Sequence, residues 1–299
     1  MKPLVGLLVI DRPKTTRRCI QAILKTVDRK SFDWVVVDNG SNDQTQDMLS
    51  HYRSEFDQLV RYDWNTGCTF GTNKWMSFRQ PGQHCMSLNA DTWVQSEGWL
   101  KAMLDVLEEP GIGIVAGRRP EFWIDTPGRF NFLRSGNVEP REIRGHWCEM
   151  VAGGAVIMPF TMIRGEVVDQ IGFMNESTNA DDIDYNPRVF ISGWQTCYCT
   201  DIIFYQPQDE AQNHRGYDAN RALLNKCLQR YQADLQRYHL TKSVYRGTRF
   251  LPETMNDPLY TSMSDTNWKF FREWDEKCES LGLLVRQTNE DPQGLKSAT

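Results

Sequence analysis

The chain has 299 residues, with 34 Lys and Arg against 39 Asp and Glu, a formal net charge of -5 and a pI near 5.6. That length can bury a sizeable core, as one large α/β domain with an appendage or as two domains. The acidic balance excludes a generally basic nucleic-acid coat while leaving room for a local basic patch, and no apolar run approaches the roughly eighteen residues that span a bilayer. Met1-Lys2-Pro3 leads straight into a strand rather than a signal peptide, so the expectation is a cytoplasmic protein with no transmembrane segment.

Leu4-Val5-Gly6-Leu7-Leu8-Val9-Ile10 is a near-continuous apolar run, the pattern of a strand buried on both faces of a parallel sheet, and Asp11-Arg12-Pro13 ends it. Ile20, Ile23, Leu24 and Val27 then recur at helical spacing. Trp34-Val35-Val36-Val37 predicts a second buried strand, and the polar turn from Asp38 to Asp43 leads to a helix with Met48, Leu49 and Tyr52 on its apolar side. A third strand near 59–62, a helix over about 69–78 and the strand Cys85-Met86-Ser87-Leu88 continue the alternation, followed by a helix starting near Glu97 and a short strand at 112–116. Such alternation implies a mostly parallel sheet with helices on both faces. Its carboxyl edge, where open α/β sheets bind ligands, then receives Asp11, Asp38 and Asp91 from three separate strands. Each acid alone can be a turn former or a helix cap; three in one crevice suit ligand binding, and a carboxylate such as Asp91 suits a hard cation, Mg²⁺ or Mn²⁺, that shares its remaining sites with phosphates.

Regular alternation stops at Gly117. The stretch 117–147 is rich in Arg, Pro, Gly and aromatics, among them Trp123, Arg129 and Arg134. It is either functional, its aromatics stacking on sugars or bases and its arginines meeting phosphates, or a structured excursion over the sheet edge, with room for a hairpin. A strand over 151–158, opened by Gly153 and Gly154, and a helix containing Ile163, Val167, Val168 and Ile171 follow. Asp181, Asp182 and Asp184 crowd one short segment, in which a helix starts at Pro187 or starts earlier and is kinked there. One more strand is expected at 194–200; His214 lies in a polar loop beyond it, and helical spacing returns from Asn220. The eight cysteines show no zinc-type spacing and read mostly as buried thiols.

Several of these stretches together resemble the GT-A glycosyltransferases of family 2. Asp11-Arg12-Pro13 is similar to that family's opening segment, and Val35-Val36-Val37-Asp38-Asn39-Gly40-Ser41-Asn42-Asp43 to its nucleotide-binding signature. Asn65-Thr66-Gly67, Gly71 and Asn73 resemble its Asn-x-Gly pattern, Leu88-Asn89-Ala90-Asp91 its Asp-x-Asp motif, Gly153-Gly154-Ala155 its acceptor-side loop, and Asp181-Asp182-x-Asp184 its Glu-Asp-x-Asp segment. Asn89 and Asp181 stand where the family has an Asp and a Glu.

The resemblance implies a GT-A, Rossmann-like domain over 1–216, with a nucleotide-sugar half at 1–116 and an acceptor and catalytic half at 117–216, followed by a mainly helical extension at 217–299. It implies a metal-dependent, inverting hexosyl- or pentosyltransferase using a nucleoside diphosphate sugar, a UDP-sugar first among them, and an acceptor hydroxyl on a glycan or on a hydroxylated base of phage DNA. Asp11, Arg12, Asp38, Asn65, Gly67, Asn73, Asn89 and Asp91 would bind the donor, and Asp91 with His214 would hold Mn²⁺ or Mg²⁺. Asp182, with Asp181 as the competing candidate, would be the general base; Gly153, Gly154, Trp123, Arg129 and Arg134 would meet the acceptor. A non-catalytic nucleotide-sugar or glycan-binding module on the same fold is the alternative. A dinucleotide-dependent oxidoreductase lacks a Gly-x-Gly-x-x-Gly after the first strand.

Overall fold

The computed structural model describes residues 1–63, 65, 67–119, 138–151, 158–174, 185–186, 189 and 192–206. Its first strand, β1 (Leu4–Val9), is buried almost throughout. It pairs in parallel with β2 (Asp33–Asn39) on one side and β4 (Cys85–Asn89) on the other, and β3 (Gln58–Tyr62) lies parallel beyond β2. The chain therefore builds outward through β2 and β3, then returns to the other side of β1. That reversal between β1 and β4 makes a topological switch point, whose crevice lies at the carboxyl ends of the strands.

Beyond β4 the sheet continues through β9 (Phe160–Ile163), β6 (Ile112–Arg118), β10 (Gln195–Tyr205), β8 (His146–Val151) and β7 (Val138–Ile143). The short β5 (Trp93–Val94) pairs separately with the end of β10. The sheet is mixed but mostly parallel: along the main path only β9 and β8 run against the rest.

Helices follow the strands. In α1 (Pro13–Thr26), Pro13 opens the first turn and Thr15, Thr16, Cys19, Ile20 and Ile23 form the buried stripe. The start of α2 (Asp43–His51) is capped by Asn42, whose Oδ1 accepts from the Thr45 backbone N–H at 3.0 Å. The third helix, α3 (Cys68–Met76), lies so close to β1 that a Cβ on Gly6 would sit 1.8 Å from the buried Trp75 indole, while a Cβ on Gly71 would meet Leu8 at 2.4 Å. Gly6 and Leu8 share a strand face, so missing side chains on both elements make room for this packing. Two further helices are α4 (Trp99–Leu107) and α5 (Gly165–Ile171).

The structure corrects two sequence expectations, and a third falls mostly outside the described residues. Ile163 is not helical: Phe160–Ile163 forms β9, wedged antiparallel between β4 and β6, and the helix starts only at Gly165. All four β9 residues are buried, and a four-residue apolar run beside a helix carries no period that separates strand from helix. Of the strand expected over 151–158, Val151 instead ends β8, and 152–157 fall outside the described residues. The last strand extends to Tyr205 rather than stopping at 200. The hairpin allowed for in the excursion is present at its end as β7 and β8, joined through Arg144 and Gly145 at φ 49° and 83°, the left-handed pair of a two-residue turn matching strand twist. The expected extension at 217–299 lies outside the described residues.

Candidate active site

Parallel strands bring their carboxyl ends to one edge, and that edge collects the polar residues. Asp11 and Arg12 follow β1, Asp38 and Asn39 close β2, Asn89 closes β4 with Asp91 just beyond it, Arg119 follows β6 and Gln206 follows β10. Asp91 is the centre of the group. Its Oδ2 accepts from Arg12 Nη1 at 2.9 Å and its Oδ1 from Gln206 Nε2 at 2.9 Å. Gln206 is fixed in turn by Arg119, whose Nη1 donates to its Oε1 at 3.0 Å and whose Nη2 donates to its backbone oxygen at 2.7 Å. One continuous chain of charge-assisted hydrogen bonds therefore ties together the ends of β1, β4, β6 and β10.

The backbone that presents Arg12 is unusual. Asp11 and Arg12 sit consecutively at φ 49° and 58°, a left-handed conformation that costs a non-glycine residue about 1–3 kcal/mol and is retained at functional turns. Asp11 is held there from both sides: its N–H donates to Ser41 Oγ at 2.9 Å, and its Oδ1 accepts from the Asn42 N–H at 2.8 Å. Asp38 braces the same loop, its Oδ1 accepting from the Ser41 N–H at 3.0 Å. Among the described residues, Asp38 Oδ2 is buried and makes no hydrogen bond, with Arg61 Nε 3.6 Å away. That oxygen can accept from a donor that reaches it.

Asn65 joins this edge through Asn39. Its Oδ1 accepts from Asn39 Nδ2 at 3.0 Å and from the Gly67 N–H at 2.9 Å, and Gly67 takes φ 93° as the cap of α3. Asn73 stands apart. Fully buried, it donates to the Met174 oxygen and accepts from the Met174 N–H, both at 2.9 Å, so it joins α3 to the segment after α5. Asn89 shapes the turn before Asp91, with the Thr92 N–H donating to its backbone oxygen at 3.0 Å. The Cys19 thiol reaches the same oxygen at 3.6 Å; burial first, then the Asp91 charge, push its pKa far up and keep it a protonated donor.

Asp181, Asp182, His214, Gly153, Gly154, Trp123, Arg129 and Arg134 lie outside the described residues. Sequence reading missed Gln206 and the pinning role of Arg119. Arg119 carried a weak signal as part of an arginine-rich stretch, whereas a Gln after the last strand carried none.

The chemistry of the site fits a hard divalent cation. Asp91 offers carboxylate oxygens from a side chain only 8% exposed, with its charge balanced by Arg12, and such ions are commonly held by one or two carboxylates together with substrate phosphates. A cation would exchange with the guanidinium on Oδ2.

Comparison with known proteins agrees with this geometry. The profile of Glycosyl transferase family 2 matches residues 5–165, just over half of the chain. The chain belongs to that family. It is 25% identical over 240 residues to the uncharacterized protein y4gI of Sinorhizobium fredii, which covers 74% of this chain but 26% of that protein, so the chain spans about a quarter of the length of this curated relative. Among solved structures it is similar to a mannosyltransferase, PcManGT, from Pyrobaculum calidifontis in complex with GDP-Man and Mn²⁺: TM-score 0.58, 15% identity, covering 98% of this chain and 77% of that one. It is also similar to residues 1–349 of TarS from S. aureus, with TM-score 0.52 and 15% identity over 78% of this chain and 72% of that one. These likenesses establish the GT-A fold. No helix among the described residues is long and apolar enough to cross a membrane.

Proposed function

We propose that the chain moves a sugar from a nucleoside diphosphate sugar to an acceptor hydroxyl, with a bound Mn²⁺ or Mg²⁺ and with inversion at the anomeric carbon. The observation that carries the reading is the convergence of Asp11, Asp38 and Asp91 at the switch-point edge of a family 2 chain, with Arg12 held against Asp91. Carboxylates suit the N–H and hydroxyl donors of a base and ribose, so Asp11 and Asp38 take those groups, with uridine the first base to test. Arg12 is placed to pair with the diphosphate when it leaves Asp91, because a planar guanidinium matches phosphate oxygens. Asn65 and Gly67 shape the adjoining wall, Asn73 supports it from behind, and Asn89 sets the turn that aims Asp91. The cation, held by Asp91 and His214, would offset the negative charge that grows on the departing diphosphate.

Asp182, or Asp181 beside it, removes the proton from the incoming hydroxyl on the face opposite the leaving group, and attack from that side inverts the centre. A general base of this kind contributes about 10² to 10⁴ in rate. Gly153, Gly154, Trp123, Arg129 and Arg134 line the acceptor side, and residues 1–216 carry the whole reaction with 217–299 appended. The acceptor contributes a hydroxyl group, and nothing among the described residues favours nucleic acid as its source.

A mass-spectrometric screen of nucleoside diphosphate sugars against hydroxyl acceptors, with Mn²⁺ present, tests this reading. Wild type should release nucleoside diphosphate and form a glycoside of inverted configuration, and Asp182→Asn should lose about 10²-fold or more in turnover while still binding donor. Retained configuration would overturn the inverting assignment. Donor binding without any product would make the chain a nucleotide-sugar-binding module instead.

A further inference from the structure

Away from the candidate active site, three chemically different ligand groups meet where the β7 and β8 hairpin joins β10. His146, Cys199 and Asp201 each bring one ligand atom within 4.8 Å of the other two. His146 contacts Asp201 and Asp105, whereas Asp91 is bonded to Arg12 and Gln206, so the two clusters are built from different residues.

Strand register explains the meeting. Cys148 on β8 lies directly opposite Cys199 on β10. Continuing that antiparallel register by two residues brings His146 level with Asp201, and Thr200 Oγ1 donating to the Trp147 oxygen at 3.0 Å keeps the strands together there. Side chains two residues apart share a face, so His146 and Cys148 on one strand confront Asp201 and Cys199 on the other. Cys197, two residues before Cys199, lies on the same face of β10.

The spacing of His146 and Asp201 is that of two ligands sharing one ion. His146 Nδ1 stands 3.4 Å from Asp201 Oδ2. Ligands at zinc-type bond lengths of 2.0–2.3 Å in a tetrahedron are separated by about 3.3–3.7 Å. The other ring nitrogen, Nε2, lies 3.4 Å from Asp105 Oδ2 on α4, and Lys101 holds that carboxylate from one turn earlier. A carboxylate behind the distal nitrogen of a ligating histidine orients the ring and fixes its tautomer.

We propose that His146, Cys199 and Asp201 form a tetrahedral site for a zinc-type divalent ion, with water in the fourth position and Asp105 orienting His146. The mixed nitrogen, sulfur and oxygen set excludes Mg²⁺ and Ca²⁺, which take oxygen ligands. The ion cross-links β8 to β10 and, through Asp105, to α4. It is a structural site and does not depend on the glycosyltransferase reading.

The test uses the full chain without a histidine tag, reduced, stripped of metal and then equilibrated with Zn²⁺ or Co²⁺ alone. Wild type should retain one equivalent of zinc through gel filtration, and its Co²⁺ form should show strong tetrahedral visible bands with a thiolate charge-transfer band. Cys199→Ser should remove the charge-transfer band, and the exposed variant Asp201→Asn, which leaves the buried core untouched, should weaken zinc binding. Asp105→Asn should cost about 10- to 100-fold in affinity. Asp91→Asn should keep the equivalent, which separates this site from the other. Zinc retention unchanged in both Cys199→Ser and Asp201→Asn, weak octahedral Co²⁺ bands, or a Cys148–Cys199 disulfide that persists in reductant would each overturn the proposal.

Discussion

Asp91 has a guanidinium on one oxygen and a carboxamide on the other, so its charge is already balanced without a metal. Truncating Arg12 should leave a nearly buried carboxylate with Gln206 as its partner among the described residues, at a cost of about 1–3 kcal/mol. A divalent cation can occupy the vacated position. Arg12→Ala should therefore be less stable than wild type, and Mn²⁺ should raise its melting temperature more than it raises that of wild type; equal shifts would show that no cation exchanges with the guanidinium. The acids of this site were legible in the sequence because Asp11, Asp38 and Asp91 each end an unmistakable apolar run. Gln206 was not, since its contact with Asp91 spans 115 positions and depends on a strand whose end the apolar pattern did not mark. Asn73 had a motif position but, in the fold, packs α3 against Met174.

At the scale of elements, the approach of α3 to β1 rests on Gly6. Replacing it with Ala forces a methyl into the Trp75 ring, and Trp75 is 1% exposed with nowhere to go. Gly6→Ala should cost about 3 kcal/mol, the upper part of the overpacking range, read as a lower urea midpoint; an unchanged midpoint would mean that α3 can slide. The join between β4 and α5 is pH-sensitive. His84 Nδ1 accepts from the Gly165 N–H at 2.9 Å, which requires an unprotonated nitrogen, and burial pushes its pKa below the ordinary 6.5, with Arg164 and Arg79 adding to the shift and Glu166 opposing it. The unfolded chain then binds this proton at a higher pH than the folded one. The contribution of His84 to stability is full above about pH 6.5 and is lost as pH falls through the depressed folded value. His84→Asn, which keeps an acceptor and removes the titration, should flatten the acid slope of stability; an equal slope would place the sensitivity elsewhere. The buried strands β1 and β2 could be read from their apolar runs, and amphipathic α1 from its helical spacing. The four residues of β9 could not, because only their position between β4 and β6 makes them a strand.

Across the whole molecule, the reversal of strand order at β1 and β4 determines where chemistry can occur. It puts Asp11, Arg12 and Asp91 at the carboxyl edge of the strands, and parallel β6 and β10 bring Arg119 and Gln206 to the same edge. On the flank, the β7 and β8 hairpin is tied to α4 through Arg144 to Glu108 at 3.0 Å and through the cluster at His146, so cation binding there should stiffen the half of the sheet farthest from β3. The central claim is that Asp91 and its neighbours form a cation-assisted nucleoside diphosphate site. Isothermal titration of the full chain with UDP and other nucleoside diphosphates, with and without Mn²⁺, tests it most directly. Wild type should bind at least one of them more tightly with Mn²⁺, and Asp91→Asn should lose that metal-dependent gain. Binding that is identical with and without Mn²⁺, or identical in Asp91→Asn, would contradict it.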